Sequence, residues 1–211
     1  MLKKFLIAAA AAMTCAGSAL ALPVLNVGTQ PVFQPFEFVD GRTKQLVGYD
    51  IDLIRAAAKH MGYEIKFAPM GLDGLIPAVM TGNIDLITSG LTITPERQKK
   101  IDFTRPVYHS SQVLLVNKSD AHAIRSEKDL RNKTVCVEIA SAGAELARTI
   151  PGAKLKTFNS LADDILEMQN RGCVAVISDR VLPEAARHPL DGGSTDRLPE
   201  GRNRLRCPQG Q

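Results

Sequence analysis

The segment from Thr92 to Arg97, TITPER, combines a helix start with a cation. Thr94 is suited to cap a helix and Pro95 to occupy its first position. Arg97 then lies in the first turn, where a positive charge opposes the helix dipole, so a nearby anion would account for its presence. An arginine at this place can form a bidentate pair with a carboxylate. A solvated arginine next to two lysines is the alternative, and local chemistry leaves both interpretations open.

Two other polar groups stand where predicted strands end. Ser89 and Gly90 follow the apolar run 84–88, and Asp179 follows the run 173–178. Gly90 permits close backbone approach, and the Ser89 hydroxyl can donate or accept a hydrogen bond. An ordinary strand-to-helix turn also explains the first pair. An acid at 179 that faced Arg97 across a cleft would provide opposite charges for a zwitterion.

The remaining motifs do not specify catalysis, and we predict no catalytic residue, metal ligand or cofactor. The four histidines lack metal-ligand spacing, and no GxSxG, P-loop or dinucleotide-binding glycine pattern occurs. Asp50 and Asp52 fall at a predicted helix start, where capping accounts for both acids.

The elements that must position these groups alternate between strand and helix. In the first half, strand patterns at 25–29, 63–67 and 84–88 enclose helix patterns at 50–61 and 73–81, and another helix begins near Pro95. In the second half, strand patterns at 113–116, 134–138, 154–158 and 173–178 enclose helix patterns at 141–150 and 160–171. Such alternation predicts two α/β lobes, each a mainly parallel sheet flanked by helices, with ligands bound at the carboxyl ends of the strands.

Composition narrows the function classes. The chain has 211 residues, of which 45% are hydrophobic, so it can bury a substantial core and is not disordered. A formal net charge of +4 and 5% aromatic residues argue against nucleic acid as a partner.

The first 21 residues have the layout of a secretory signal, with Lys3 and Lys4, an apolar run and the small-residue end Ala19-Leu20-Ala21. We predict cleavage after Ala21; a membrane anchor is the alternative, but the apolar run is shorter than the ~20 residues that a spanning helix needs.

Three cysteines then remain, at positions 136, 173 and 207. A bond between the first two is one possibility, and a buried core position is the default for each.

Six strings together resemble the bacterial extracellular solute-binding proteins of family 3, the polar amino-acid receptors of ABC importers. They are Val27-Gly28-Thr29, Phe33 to Phe38, Leu46 to Leu53, Gly74 to Ala78, Ile84 to Ile87 and Thr92 to Arg97. The resemblance runs from about residue 25 to residue 180. It implies a two-lobed periplasmic-binding-protein-like fold of type II that closes around a free amino acid and docks on a membrane permease.

The resemblance also implies roles for the polar groups. Arg97 would bind the ligand α-carboxylate, assisted by Thr92 and the backbone near Gly90. Asp179 and the Ser89 region would hold the α-ammonium.

The side-chain subsite is implied in the same way. Phe33 would pack on the ligand side chain, and Leu72 stands where some members place a second aromatic residue. Cation-binding members usually have Asp at the position of Gln30, which weakens the case for a basic ligand, although Glu138 could restore it. The resemblance therefore favours glutamine or another polar amino acid.

The sequence departs from the family at two places. The second-lobe loop reads Glu138-Ile139-Ala140-Ser141-Ala142 where many members have glycines, so the backbone donation expected near Ser141 and Ala142 can differ. After Arg180 the resemblance stops, and the chain becomes rich in Arg and Pro. A frameshift or a truncated reading frame would produce this switch, so we expect an incomplete second lobe and return crossing.

From the patterns and the resemblance we expect five segments in the chain. The domains are a signal peptide at 1–21, a first lobe at 22–107, a hinge at 108–111, a partial second lobe at 112–180 and a poorly structured tail at 181–211. The protein would be a monomeric periplasmic receptor that delivers an amino acid to an inner-membrane permease. The alternatives are an enzyme of the same fold, similar to cyclohexadienyl or arogenate dehydratases, with Glu138 as the candidate acid, and a truncated product without stable binding.

Overall fold

The computed structural model describes residues 22–181 and the backbone of residues 203–204. The predicted signal segment lies outside the described residues, and so does most of the predicted tail. Only the tail residues Val181, Asn203 and Arg204 fall within the described part.

The described chain alternates strands and helices in the predicted order. The strands are β1 (Val24–Thr29), β2 (Val32–Phe33), β3 (Glu37–Val39), β4 (Leu46–Val47), β5 (Glu64–Pro69), β6 (Leu86–Ile87), β7 (Gln112–Val116), β8 (Thr134–Glu138), β9 (Lys154–Phe158), β10 (Ala175–Asp179) and β11 (Asn203–Arg204). The α-helices are α1 (Tyr49–Met61), α2 (Leu72–Met80), α3 (Pro95–Gln98), α4 (Ala142–Arg148) and α5 (Leu161–Gln169). Two 3₁₀ turns cover Lys118–Asp120 and Glu127–Leu130.

The first lobe contains a parallel sheet in the order β5-β1-β6, as the βαβαβ pattern predicts. Helix α1 ends at Gly62, whose φ of 76° is the left-handed conformation that glycine adopts without steric cost. Helix α2 returns the chain to β6, which is shorter than the predicted strand 84–88. The carboxyl ends of β1 and β6 therefore present Gln30 and Ser89 at the same edge.

A second, antiparallel sheet in the order β2-β3-β4 was not predicted from the sequence. Its strands have two or three residues each, too short to show a period-2 pattern. It carries Phe33 and Glu37, which pair directly across β2 and β3. This sheet places both side chains beside the end of β6.

The second lobe contains a five-stranded mixed sheet in the order β11-β7-β10-β8-β9. Strands β8, β9 and β10 are parallel, whereas β7 is antiparallel to β10. Within the predicted tail, Asn203 and Arg204 pair antiparallel with Leu114 and Val113. The predicted two-lobed α/β architecture is confirmed.

Alternation along the second-lobe strands separates two packed faces. Val135 and Val137 point into a cluster that includes Ala144 and Ala147 of α4. Cys136, between those valines, points to the opposite face. There it forms a disulfide with Cys173, with Cα atoms 5.9 Å apart, in a cluster that includes Met168 of α5. The two cysteines are therefore both buried, as expected, and bonded to each other.

Side-chain caps are found at α3, as predicted from Thr94, and at α5, but not at α1. Ser160 caps α5 and Thr94 caps α3, in each case by accepting a hydrogen bond from the backbone three residues on. The capping role predicted for Asp50 and Asp52 is wrong, because Gly48 is the N-cap of α1 and no side chain caps it. Both acids lie in the first turn, where their charges still favour the helix dipole.

No helix in the described ranges combines the length and hydropathy that crossing a membrane requires.

Candidate functional site

A cavity of about 540 Å³ lies between the two lobes, at the carboxyl ends of their parallel strands. All eleven residues predicted for the site line it: Gln30, Phe33, Leu72, Ser89, Gly90, Thr92, Arg97, Glu138, Ser141, Ala142 and Asp179. Its volume suits a small molecule rather than a macromolecule. The predicted residues, which span 150 positions of sequence, are thus brought to one place.

Arg97 is held by groups from both lobes. Its side chain projects from the one-turn helix α3 and is only 5% exposed. Its Nη1 donates to the Thr92 carbonyl at 2.8 Å, and its Nη2 donates to the Ala140 carbonyl at 2.7 Å. Its Nε lies 3.0 Å from Oε1 of Glu145 on α4. The anion expected near Arg97 is therefore, in part, Glu145 of the protein itself, which the sequence did not single out.

Arg97 retains donors for a ligand. Arginine carries five N–H groups, and the three contacts just described use one on each nitrogen. One N–H therefore remains on each terminal nitrogen, and two such donors can bind a carboxylate in a bidentate manner. Burial lowers the pKa of Arg97, and the charges of Glu145 and Asp179 oppose that change. The guanidinium stays a cation because an arginine is not deprotonated in proteins.

Asp179 supplies the opposite charge on the second-lobe side of the cavity. It is the last residue of β10, at the carboxyl end of the strand. Its Oδ1 accepts a hydrogen bond of 2.8 Å from Nε2 of Gln112. Burial raises the pKa of Asp179 to about 6, while Arg97 and the Gln112 hydrogen bond counteract the rise. Near neutral pH this carboxylate is ionised and can accept from an ammonium group.

Gln30 and Glu138 meet across the cleft. Nε2 of Gln30 donates to Oε1 of Glu138 at 2.7 Å and to the Asn159 carbonyl at 3.3 Å. Burial raises the pKa of Glu138, the Gln30 hydrogen bond lowers it, and the charge of Asp179 raises it further. Two acceptors of the second lobe therefore converge on one donor position.

Phe33 and Gly90 form an apolar wall of the first lobe. Gly90 has a φ of 49°, and a Cβ there would collide with ring atoms of Phe33. The Phe33 ring also stacks on Phe36, with centroids 5.3 Å apart. The glycine is therefore needed both for its backbone conformation and for the close approach of the ring.

Glu37 and Asp50 are two buried acids of the first lobe, and Glu37 is a cavity residue that was not predicted. Glu37 is fully buried and lines the cavity, and its carboxyl oxygens have no well-aligned hydrogen-bond partner among the described residues. Burial, with a further contribution from Asp50, raises the pKa of Glu37 to about 10, against the opposing effect of the Ser89 hydroxyl. Burial also raises the pKa of Asp50. Sequence patterns could not reveal these positions because acids are seldom buried without a partner.

The second-lobe loop adopts the backbone that a glycine would provide. Ala140 has a φ of 58°, a strained value for a residue with a Cβ. Ser141 caps α4 by accepting from the Ala144 N–H at 3.0 Å. Ala140 thus occupies a glycine-type position while its carbonyl fixes Arg97.

Within residues 22–181, no group of acids, histidines and cysteines has the arrangement of a metal site.

A model of the bacterial extracellular solute-binding proteins, family 3, matches residues 25–187. The chain belongs to this family. Its members act outside the cytoplasmic membrane, and the family match and the two-lobed fold agree with the resemblance drawn from the six strings.

Two curated relatives are similar along most of the chain. The arginine-binding extracellular protein ArtP of Bacillus subtilis is 36% identical over 163 residues, which cover 76% of this chain and 62% of ArtP. A probable histidine-binding protein of Campylobacter jejuni is 34% identical, covering 74% of this chain and 60% of the relative. The chain therefore spans about three fifths of the length of these curated relatives.

Two solved structures share the fold. The arginine-bound form of truncated ArgBP from T. maritima has a TM-score of 0.72 and 37% identity, over 79% of each chain. The ancestral amino acid-binding protein AncCDT-1, a precursor of cyclohexadienyl dehydratase, has a TM-score of 0.70 and 39% identity, over 78% of this chain and 74% of that one. These similar proteins are described as binding proteins, and one of them precedes an enzyme.

Proposed function

We propose that the protein is the substrate-binding component of an amino-acid ABC importer and that its cleft holds one free α-amino acid. The observation that carries this proposal is the pairing of charges in the cavity. Arg97 offers two N–H groups from one side, and Asp179 offers a carboxylate from the other. An α-carboxylate and an α-ammonium are the complementary pair.

The neighbours of the two charged groups extend this assignment. Ser89 accepts from the Gln30 backbone N–H at 2.9 Å, which fixes its hydroxyl oxygen beside the cavity. We assign Ser89 to the ammonium, and Thr92 with the Gly90 backbone to the carboxylate. Ser141 and Ala142 close the carboxylate side from the second lobe, while Phe33 and Leu72 cover the apolar part of the ligand side chain.

The biological setting follows from the family and the N-terminal pattern. We propose export by the segment 1–21 with cleavage after Ala21, action in the periplasm as a monomer, and delivery to an inner-membrane permease. The proposed lobes are residues 22–107 and 112–180, joined by a hinge at 108–111. Lobe closure on the ligand would create the surface that the permease recognises, since a ligand that binds the closed state better shifts the population toward it.

We propose no covalent step. The Arg97 and Asp179 charges complement a bound zwitterion without requiring a reaction. Glu138 is a buried acid with a raised pKa, and the similarity to AncCDT-1 makes an enzymatic role the second candidate. Release of product from a cyclohexadienyl substrate incubated with the protein would support that role.

A calorimetric titration tests the proposal directly. Each amino acid that binds is compared with its α-amide and with its deaminated analogue. Each analogue should bind at least about tenfold more weakly, because it leaves Arg97 or Asp179 buried beside the ligand without its partner. Arg97→Ala should abolish binding. Equal affinities for amino acid and analogues, or unchanged affinity of the variant, would contradict the assigned roles.

A further inference from the structure

We propose that the ligand side chain carries a positive charge and that Glu138 selects it. This proposal rests on the proposed function, because it names the class of α-amino acid that the same cleft accepts. The decisive feature is the acceptor position shared by Oε1 of Glu138 and the Asn159 carbonyl.

The amide of Gln30 occupies this position in the structure. Its Nε2 lies 2.7 Å from Oε1 of Glu138 and 3.3 Å from the Asn159 carbonyl, so a nitrogen donor fits between the two oxygens. A primary amide nitrogen is a neutral counterpart of an ammonium or guanidinium nitrogen. The same two acceptors can therefore receive a cationic nitrogen from a ligand, which would form the shorter and stronger charge-assisted hydrogen bond.

The charges around the cavity favour a cation. Arg97 is the only lysine, arginine or histidine among the described residues that line it, whereas Glu37, Glu138 and Asp179 all contribute carboxyl groups. Burial raises the pKa of Glu37 to about 10 and keeps it neutral, so Glu138 and Asp179 are the acids that can carry charge. In the proposed function the α-carboxylate of the ligand pairs with Arg97 and the α-ammonium pairs with Asp179. Glu138 then remains as an acid that no charge of the cavity wall compensates.

A second acid near the cavity, Asp164, adds to this excess of acidic groups. Asp164 of α5 is 1% exposed, and neither of its carboxyl oxygens has a hydrogen-bond partner among the described residues. Burial raises the pKa of Asp164, and the charge of Glu138 adds to the rise. Leu161 and Ile165, which flank Asp164 on α5, line the cavity. A cation bound at Glu138 would therefore be attracted by both carboxyl groups.

Burial decides how strongly the cation is selected. Glu138 is partly buried in the cleft, and removing a carboxylate from water is costly unless a cation or several donors replace the water. A neutral polar ligand such as glutamine offers donors without charge and would leave that cost largely uncompensated. A cationic side chain offers both the donors and the charge.

The test compares L-arginine with L-citrulline, which has nearly the same shape and an uncharged side chain. Titration of the wild-type protein at pH 8 should give at least about tenfold higher affinity for arginine. Glu138→Gln should remove this preference while citrulline still binds. Glu64→Gln makes the same chemical change at an exposed first-lobe position and should preserve the preference.

The outcomes separate this proposal from the proposed function. Binding of citrulline or glutamine equal to or tighter than that of arginine by the wild-type protein would overturn the cationic class alone. An unchanged preference in a folded Glu138→Gln variant would overturn the role of Glu138. If no α-amino acid binds the wild-type protein, the proposed function fails as well. The wild-type comparison needs no variant, so poor folding of Glu138→Gln would not prevent the test.

Discussion

The Nε atom of Arg97 lies 3.0 Å from Oε1 of Glu145, which pairs a buried first-lobe arginine with the first turn of a second-lobe helix. The Ala140 carbonyl adds a second contact from the same lobe at 2.7 Å. Together these contacts restrain the guanidinium, which would preorganise its two remaining N–H groups for the anion proposed to bind there. Such preorganisation lowers the entropic cost of binding a carboxylate.

Arg97→Lys should weaken amino-acid binding by about a hundredfold or more. A lysine keeps the positive charge, but it cannot satisfy Thr92, Ala140 and Glu145 and also bind a carboxylate in a bidentate manner. Calorimetry measures the loss. Arg55→Lys, at an arginine half exposed on α1, is the matched control and should leave affinity unchanged. Affinity retained in Arg97→Lys would show that charge alone is sufficient.

Amino-acid affinity should fall as the pH drops below about 6. Burial raises the pKa of Asp179 to about 6, so acid protonates the carboxylate that we propose accepts from the ligand ammonium. Arg97 and Glu138 are the charged groups that face it. The predicted loss approaches tenfold per pH unit below that pKa.

Titrations with glutamine at pH 7.5 and pH 5 measure this dependence, because a ligand with an uncharged side chain limits the influence of Glu138. Asp179→Asn should bind weakly at both pH values. Equal wild-type affinities at the two pH values would count against ionised Asp179 as the ammonium partner.

Ala140→Gly should stabilise the protein by about 1 kcal/mol. The φ of 58° is strained for alanine and unstrained for glycine, and this relief outweighs the greater flexibility of the unfolded glycine chain. Chemical denaturation measures the change. Ala56→Gly on an exposed face of α1 is the contrasting control, since it should destabilise the protein by about 1 kcal/mol. A loss of stability in both variants would refute the strain at Ala140.

Reduction of the Cys136–Cys173 disulfide should lower the free energy of unfolding by about 3 to 4 kcal/mol. The bond closes a loop with a sequence separation of 37 residues and so restricts the unfolded chain. Urea denaturation with and without a thiol reductant gives the difference. A variant with alanine at both positions should unfold at the midpoint of the reduced protein and be insensitive to reductant. Coincident curves for the wild-type protein would exclude a stabilising bond.

Asp164→Asn should increase stability at pH 8 by about 1 to 3 kcal/mol, because the buried, unpartnered carboxylate is replaced by a neutral amide. Burial, with the charges of Glu138 and Asp163, raises the pKa of Asp164 to about 7 from its ordinary 3.8. The native state therefore holds a proton that the unfolded state has lost, and Asp164 makes stability decline as the pH rises from about 4 to 7.

Denaturation of the wild-type protein and of Asp164→Asn at pH 4, 6 and 8 checks this sign. The two curves of stability against pH should diverge most at pH 8. A constant difference across the three pH values would mean that Asp164 does not titrate in this range.

Much of the fold could be predicted because its signals are local. The apolar spacing of α1 ends at Gly62, and Ser160 precedes the helix that it caps. The sheet β2-β3-β4 escaped prediction because its strands are too short for a periodic signal. The antiparallel pairing of β7 was also not predicted, since β7 is buried throughout and a continuous apolar run does not specify strand direction.

The site residues likewise include some that the sequence indicated and some that only the folded structure reveals. Local chemistry singled out Arg97 and Asp179 but could not show that they share a cavity, and the resemblance supplied residues such as Gln30 and Glu138. The pairing of Arg97 with Glu145 depends on how two lobes meet, which no spacing encodes. Glu37 was missed because its full burial contradicts the surface position expected of a glutamate.

The most direct test is a thermal-shift screen of the purified protein against the twenty amino acids, with Arg97→Ala in parallel. A ligand that binds only the folded state adds ~2.7 kcal/mol of apparent stability at a hundredfold excess over its dissociation constant. We predict a selective rise in Tm for one chemical class of amino acid, with arginine and lysine foremost, and no rise in Arg97→Ala. A cooperative transition that no amino acid shifts would contradict the proposal that this cleft is an amino-acid site.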